Sequence, residues 1–250
     1  LCRLALARTA IDPASFTSLR LAAGAVALWL IVRFRRGRPE RGGTWSSAGA
    51  LFVYAAAFSL AYVTLPAGTG ALLLFGAVQA TMIGAGLWAG ERMSVGQWAG
   101  FAVALGGLVV LLLPGLSAPP LGGSILMLAA GVAWGIYSLQ GRRLNDPTGS
   151  TAGNFLRTLP LAGLLSLAAW PWMRVDGAGA LYALLSGALA SGGGYAVWYA
   201  AIRGLTATQT ATVQLTVPVL AAVGGVTLLD DTYNANPASM AAALDLLGEM

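Results

Sequence analysis

Eight apolar runs, each close to the length of a membrane crossing, fix what this chain can fold into. They cover residues 16–34, 48–65, 69–88, 96–113, 122–140, 153–172, 179–202 and 208–229, cut by Gly, Pro or Arg. Crossing the hydrocarbon of a bilayer takes about 20 apolar residues as helix. Only 9% of the residues are charged and 57% are hydrophobic, whereas a soluble domain carries roughly 25% charged residues. The outer surface must therefore face lipid. There every backbone amide needs a partner within the chain, so the runs are helices or a closed barrel, and strand alternation is too weak for a barrel. The expected fold class is an all-α membrane protein, a polytopic helical bundle of eight visible spans. The connections are short, so neighbours in sequence are expected to pack as antiparallel neighbours. Gly84, Gly86, Gly106, Gly107, Gly192, Gly193 and Gly194 would let the backbones approach closely.

The net charge of +5 comes from arginine alone, because the chain has no lysine. A basic chain can indicate nucleic acid, but these arginines sit in short loops between spans, where they set orientation. Arg33, Arg35, Arg36, Arg38 and Arg41 follow the first span, Arg92 the third, Arg142 and Arg143 the fifth, and Arg203 the seventh. The alternate loops carry only Arg174 beside Asp176. The positive-inside rule places the arginine-rich loops in the cytoplasm. Both ends of the chain then fall outside, and one further span at each end would bring them back in. Histidine is absent and Cys2 is the single cysteine, so the commonest metal ligand and any internal disulfide are excluded.

Two segments share a plan: "LPAGTGALLLFGAVQATMIGAGLWAGE" (65–91) and "LTATQTATVQLTVPVLAAVGGVTLLDD" (205–231). Each has a polar turn, a Thr- or Gly-rich opening, a break at Gln79 or Pro218, a small-residue stretch and an acidic stop. By the arginine count they run in opposite senses, the mark of an inverted repeat with a site near mid-membrane.

"DPASFTSLRLAAGAVAL" (12–28), "GLWAGERMSVGQWAGFAVALGGLVVLL" (86–112), "AAGVAWGIYSLQGRRL" (129–144) and "GYAVWYAAIRGLTATQTATVQLTVPVLAAVGGVTLL" (194–229) resemble the EamA-type transporters of the drug/metabolite transporter superfamily. The resemblance implies an inverted five-plus-five helix repeat in a bacterial inner membrane, carrying small metabolites or amino acids. It divides the chain into a first repeat over 1–113 with its first helix truncated, and a second over 114–229 with its last helix missing. The remaining stretch, 230–250, opens with "DDTYNANPASMAAALDLL", which resembles a short piece of the D-alanyl-D-alanine-adding Mur ligase. Ligase chemistry would need a Gly-rich phosphate loop with Lys, and the chain has none. The tail is therefore expected to add no activity.

A transport site needs aromatic and hydrogen-bonding groups facing a cavity between the repeats, because polar groups facing lipid are costly. The candidate substrate-binding residues are Tyr195, Trp198 and Tyr199 in the seventh span, Gln214 in the eighth with Thr210, Thr212 and Pro218, Gln79 in the third, and Trp134 and Tyr137 in the fifth. Gln79 and Pro218 are expected to meet. For the aromatics the competing readings are an interfacial belt or plain packing. Arg20 and Arg157 lie within spans but close enough to an end to snorkel; Arg20 is kept as a candidate ligand. Glu91 is expected to cap a helix or to pair with Arg92 or a loop arginine.

No Asp, Glu or His stands mid-span, which favours a uniporter or exchanger over a carboxylate-driven proton symporter. The expected function is a transporter, and an exporter, of small organic metabolites by alternating access. A non-functional truncated or chimeric fragment of such a carrier and a channel or scaffold subunit stand as alternatives. No enzymatic activity, catalytic residue, metal or cofactor is expected. The expected partners are a small-molecule substrate and the lipid bilayer, a homodimer being allowed for, and no nucleic acid.

Overall fold

In the computed structural model, residues 1–34, 42–112, 119–142, 144, 146–202 and 204–214 are described. They form helices, with no strand among the described residues. In chain order these are α1 (Cys2–Arg8), α2 (Pro13–Phe34), α3 (Trp45–Ala61), α4 (Ala67–Trp88), α5 (Val95–Leu112), α6 (Leu121–Gly141), α7 (Pro147–Ala169), α8 (Gly177–Leu185), α9 (Gly194–Ala201) and α10 (Ala207–Gln214). A π-helical segment, Ser186–Gly193, joins α8 to α9. Four helices among the described residues are long and apolar enough to cross a bilayer: Pro13–Phe34, Gly68–Trp88, Leu121–Gly141 and Gly177–Tyr199. The fold is an all-α, multi-pass membrane protein.

The membrane-length helices carry large apolar side chains on their outer faces, as expected where lipid replaces water. Val26, Trp29, Val53, Val103, Leu164 and Leu189 lie on the outside. Tryptophans gather at both ends: Trp45, Trp88 and Trp98 at one, Trp170 and Trp172 at the other, all exposed. That is the arrangement of interfacial anchors.

The packing departs from the expectation that sequence neighbours pair. Helix α6 packs on α3 and α4, and α2 packs on α7 and the π segment. Small residues decide this. A Cβ added at Gly131 would meet Ala77 Cβ and the Leu74 carbonyl at 2.6 Å, and one at Gly135 would meet Thr81 at 2.9 Å. Only glycine lets α6 lie this close to α4. The seventh span is also not one regular α-helix. Its Ser186–Gly193 stretch is the π segment, where Gly187 abuts the Arg20 carbonyl and Gly24 faces the Gly187 carbonyl. Backbone touches backbone here, and the wider π turn accommodates it.

Each end of the bundle is tied by polar bonds. At one end the Asp12 amide donates to the Arg174 carbonyl, and the Arg174 amide donates to Asp12 Oδ2, both at 2.9 Å. At the other, Ser47 Oγ donates to Gln140 Oε1 at 2.6 Å, the Thr44 amide donates to Asn154 Oδ1 at 2.9 Å, and Arg157 donates to the Gly42 and Gly153 carbonyls at 3.1 and 2.9 Å. Arg157 thus holds the bundle end together.

Candidate functional site

Eight residues into α2, Arg20 turns inward. Its exposure is 2%, so it does not snorkel to an interface. Its guanidinium carbon lies 5.8 Å from the Tyr54 ring centre and 5.9 Å from that of Phe58, both on α3. Its Nε donates to Ser191 Oγ in the π segment at 3.3 Å. A cation over ring faces is attracted by the ring quadrupole, more strongly where water is excluded.

From Tyr54 the aromatic cluster continues to Trp134 on α6, with ring centres 5.0 Å apart. Trp134 is half-buried and stands against Tyr195 (5.2 Å), Tyr137 (6.0 Å) and Trp198 (6.4 Å). Tyr195 also meets Phe155 at 5.4 Å edge-on, and Tyr137 meets Tyr199 at 5.9 Å. Asn154 Nδ2 donates to the Tyr137 hydroxyl at 3.4 Å, and the Tyr199 hydroxyl donates to the Tyr137 carbonyl at 3.2 Å. Tyr195, Trp198 and Tyr199 are at most 4% exposed, so they form no interfacial belt. Six expected site residues therefore share one cluster: Arg20, Trp134, Tyr137, Tyr195, Trp198 and Tyr199.

Gln79 and Gln214 lie on α4 and α10. Gln79 Nε2 donates to the Ala211 carbonyl at 2.7 Å, which ties the two helices together. Pro218, the partner expected for Gln79, lies outside the described residues, as do Arg143, Arg203 and the Mur-ligase-like tail. Gln79 Oε1, Gln214 Oε1 and Trp198 Nε1 are buried with no hydrogen-bond partner among the described residues. Such atoms carry a desolvation cost of about 1–3 kcal/mol each. They could serve a polar ligand group. Thr210 and Thr212 instead bond back to the carbonyls of Thr206 and Thr208 on their own helix.

The base of α10 is fully capped. Glu91 Oε1 accepts from the Ala207 amide at 2.9 Å, and Oε2 accepts from the Thr208 amide at 3.0 Å. The Gln209 amide donates to Thr206 Oγ1, whose own amide donates to Gln209 Oε1, a capping box. The ion pair of Glu91 is with Arg142, at 3.5 Å, rather than with Arg92; Arg142 also donates to the Leu205 carbonyl at 3.2 Å. Burial alone would raise the Glu91 carboxyl. The Ala207 and Thr208 amides and the charge of Arg142 outweigh it and hold Glu91 below the usual carboxylate range. Gly90, at φ 87°, aims Glu91 there by ending α4 with a left-handed turn, closed by the Glu91 amide on the Gly86 carbonyl at 2.9 Å.

Sequence reasoning missed Tyr54, Phe58, Ser191 and Asn154. Tyr54 and Phe58 stand four apart, and a tyrosine hydroxyl in the middle of an apolar run was their available signal. Between α5 and α10 there is also a cavity of ≈ 380 Å³, lined by Met93, Phe101, Leu205, Thr208, Thr212 and Val213 among others. No group of His, Cys, Asp or Glu among the described residues could hold a metal ion.

Membrane-length helices packed around a buried arginine and a ring cluster define a multi-pass, all-α membrane protein. Residues 121–242 match the EamA-like transporter family, a match that runs past residue 229. A Pseudomonas aeruginosa protein, described only as uncharacterized protein PA1977, is 62% identical over 233 residues, which are 92% of this chain and 81% of that protein. Residues 121–242 thus form a domain of the EamA-like transporter family, a family of transporters. A solved structure titled only "Crystal structure of protein" has the same fold, with a TM-score of 0.72 at 21% identity over 99% of this chain and 90% of that one.

Proposed function

We propose that the chain carries small amphipathic organic metabolites, amino acids among them, across the bacterial inner membrane by alternating access, in the direction of export. The observation that carries this reading is the junction of Arg20, Tyr54, Trp134 and Tyr195, which brings α2, α3, α6 and α9 to one buried point. Rings and a cation suit a molecule with an apolar body and a polar head.

The packing pattern supports an inverted repeat, with 1–113 and 114–229 as its halves. Exchanging α1 with α6, α2 with α7, α3 with α8–α9 and α4 with α10 maps several of the observed contacts onto one another, the α4–α6 packing excepted. Thus α2 on α8 matches α7 on α3, α2 on α3 matches α7 on α9, and α3 on α6 matches α8 on α1. The α2–α7 and α4–α10 pairs map onto themselves. Both α2 and α7 begin Asp-Pro, with Asp12 accepting from the Ala14 amide and Asp146 from the Gly149 amide, at opposite ends of the bundle. Two such halves can rock about a central site.

The test is counterflow in proteoliposomes holding the full chain, with a panel of labelled amino acids and organic acids. Protein-dependent exchange of at least one solute, reduced by Tyr199→Ala without loss of membrane yield, is expected. Flux no greater than in protein-free vesicles for the whole panel would overturn the reading.

A further inference from the structure

We infer that the cleft between α5 and α10 seats one phospholipid, with an acyl chain in the cleft and an anionic head at the Glu91 end of the bundle. The inference is independent of which solute the chain carries, and in which direction.

The first ground is the cleft itself. Its ≈ 380 Å³ lie between the opening turns of the two helices, walled by Met93, Phe101, Leu205 and Val213. Gly100 and Thr212 also line it and are exposed, so it opens sideways, where a membrane protein meets lipid rather than water. A Cβ added at Gly100 would meet nothing within 4 Å. Helix α5 packs on α4 and leaves this space before α10 open. Phe101 and Val213 each stand about 9 Å beyond the first residue of their helix, at 1.5 Å per residue. The cleft thus runs from the helix starts down into the depth of the acyl chains. A space with apolar walls does not hold water, and left empty it would forfeit the contacts of both walls. At roughly 30 Å³ per small group it has room for about a dozen methylenes.

The second ground is the chemistry of the mouth, where Gln97 and Gln209 line the cleft. Each gives its Oε1 to a helix start: the Ser94 amide donates to Gln97 at 2.8 Å, and the Thr206 amide to Gln209 at 2.9 Å. What remains of both amide groups is the Nε2 donor. The first amides of a helix lack partners within it. On α10 Glu91 takes two of them, whereas on α5 Ser94 Oγ takes only that of Gln97, at 3.2 Å. Among the described residues the Val95 and Gly96 amides have no hydrogen-bond acceptor. Arg92 is exposed and directly precedes Met93 at the cleft, while the charge of Glu91 is already matched by Arg142. Donors grouped around one uncompensated cation suit a group that only accepts and carries negative charge. The phosphodiester of a lipid head is such a group.

These two grounds divide the work. A chain in the cleft is no less surrounded by apolar atoms than a chain in the bilayer, so chains supply fit and little preference. The head therefore selects the lipid. One arginine near an anionic head is worth about fivefold in affinity.

The experiment uses the purified full chain, stripped of lipid in detergent and titrated with phosphatidylglycerol or phosphatidylcholine of identical chains. Retained lipid is counted by native mass spectrometry. The expected result is one phosphatidylglycerol per chain, held about fivefold more tightly than phosphatidylcholine. Arg92→Gln should remove that preference and Arg92→Lys should keep it. Gly100→Leu, whose side chain enters open space, should weaken both lipids at least about fivefold by filling the cleft, and Thr212→Leu should act in the same direction. Gly163→Leu, at an exposed glycine of α7 with equally open surroundings, should change nothing. Glycerol phosphate, a head without chains, should not displace the lipid. Equal affinity for the two lipids, unchanged retention in both Gly100→Leu and Thr212→Leu, or displacement by glycerol phosphate overturns the inference. So does a wild-type chain that retains no lipid, whether a second copy fills the cleft, seen as a dimer mass, or later residues of the same chain do.

Discussion

Glu91, at the end of α4, holds Thr208, at the start of α10, through a 3.0 Å bond from the Thr208 amide to Oε2, while its other oxygen takes the Ala207 amide. The first amides of a helix have no partner within it, and a carboxylate there satisfies them and complements the helix dipole. Glu91→Ala should lower stability by about 1–2 kcal/mol, with Glu91→Gln between it and wild type. The carboxylate is held below its usual range when folded. Its contribution is therefore complete above that range and fades as the pH falls through the depressed value. Thermal midpoints at about pH 7 and about pH 4 check this: the gap between wild type and Glu91→Gln should narrow at the lower pH. A gap that widens on acidification would reject the cap.

Gly141 and Tyr199 make a second prediction. A Cβ at Gly141 would fall on the Tyr199 ring, which also donates its hydroxyl to the Tyr137 carbonyl. Gly141→Ala should cost on the order of 1–3 kcal/mol by overpacking. Replacing the ring should relieve it, so Tyr199→Leu should be less harmful in the Gly141→Ala background than alone. Additive losses in that cycle would show that the two positions do not touch.

Why some of this was legible in the sequence and some was not follows from particular residues. Apolar runs mark spans because lipid demands them, so α2, α4 and α6 lie where the composition put them. The Tyr195, Trp198 and Tyr199 group could be found because aromatics one helical turn apart share a face. Tyr54 and Phe58 satisfy the same rule, but nothing local tells that α3 turns that face toward Arg20. The choice of neighbours rests on glycines such as Gly131 and Gly187, and only the assembled bundle shows which backbone each one meets. The expected pairing of Gln79 with Pro218 comes from aligning repeats by pattern; Pro218 lies outside the described residues, and the Gln79 side chain bonds to the Ala211 carbonyl.

Orientation can be read with cysteines, because the native Cys2 is buried. Ser46 and Ser94 are exposed at the end that carries Glu91, and Leu121 and Val175 are exposed at the other end. Cysteine at Leu121 or Val175 should react with an impermeant maleimide added to intact cells. Cysteine at Ser46 or Ser94 should react only after the membrane is opened, since arginine-rich loops stay in the cytoplasm. The opposite labelling pattern would invert the proposed topology.

Trp134 separates a substrate wall from ordinary packing. It contacts Tyr54, Tyr195, Tyr137 and Trp198, yet it remains half-buried, whereas a residue that only fills a core would be enclosed. Each ring pair contributes about 0.5–1.5 kcal/mol beyond buried area, so Trp134→Ala loosens the cluster without emptying a sealed cavity. In the proteoliposome assay it should raise the half-saturation concentration about tenfold, a loss of the size of one or two ring contacts. Trp134→Phe should recover most of that loss. Trp29, 51% exposed on the outer face of α2, supplies the control, and Trp29→Ala should leave half-saturation unchanged. Membrane yield should be similar for all three. If Trp134→Ala lowers yield and leaves half-saturation alone, the tryptophan is packing and the substrate lies away from the Arg20 cluster.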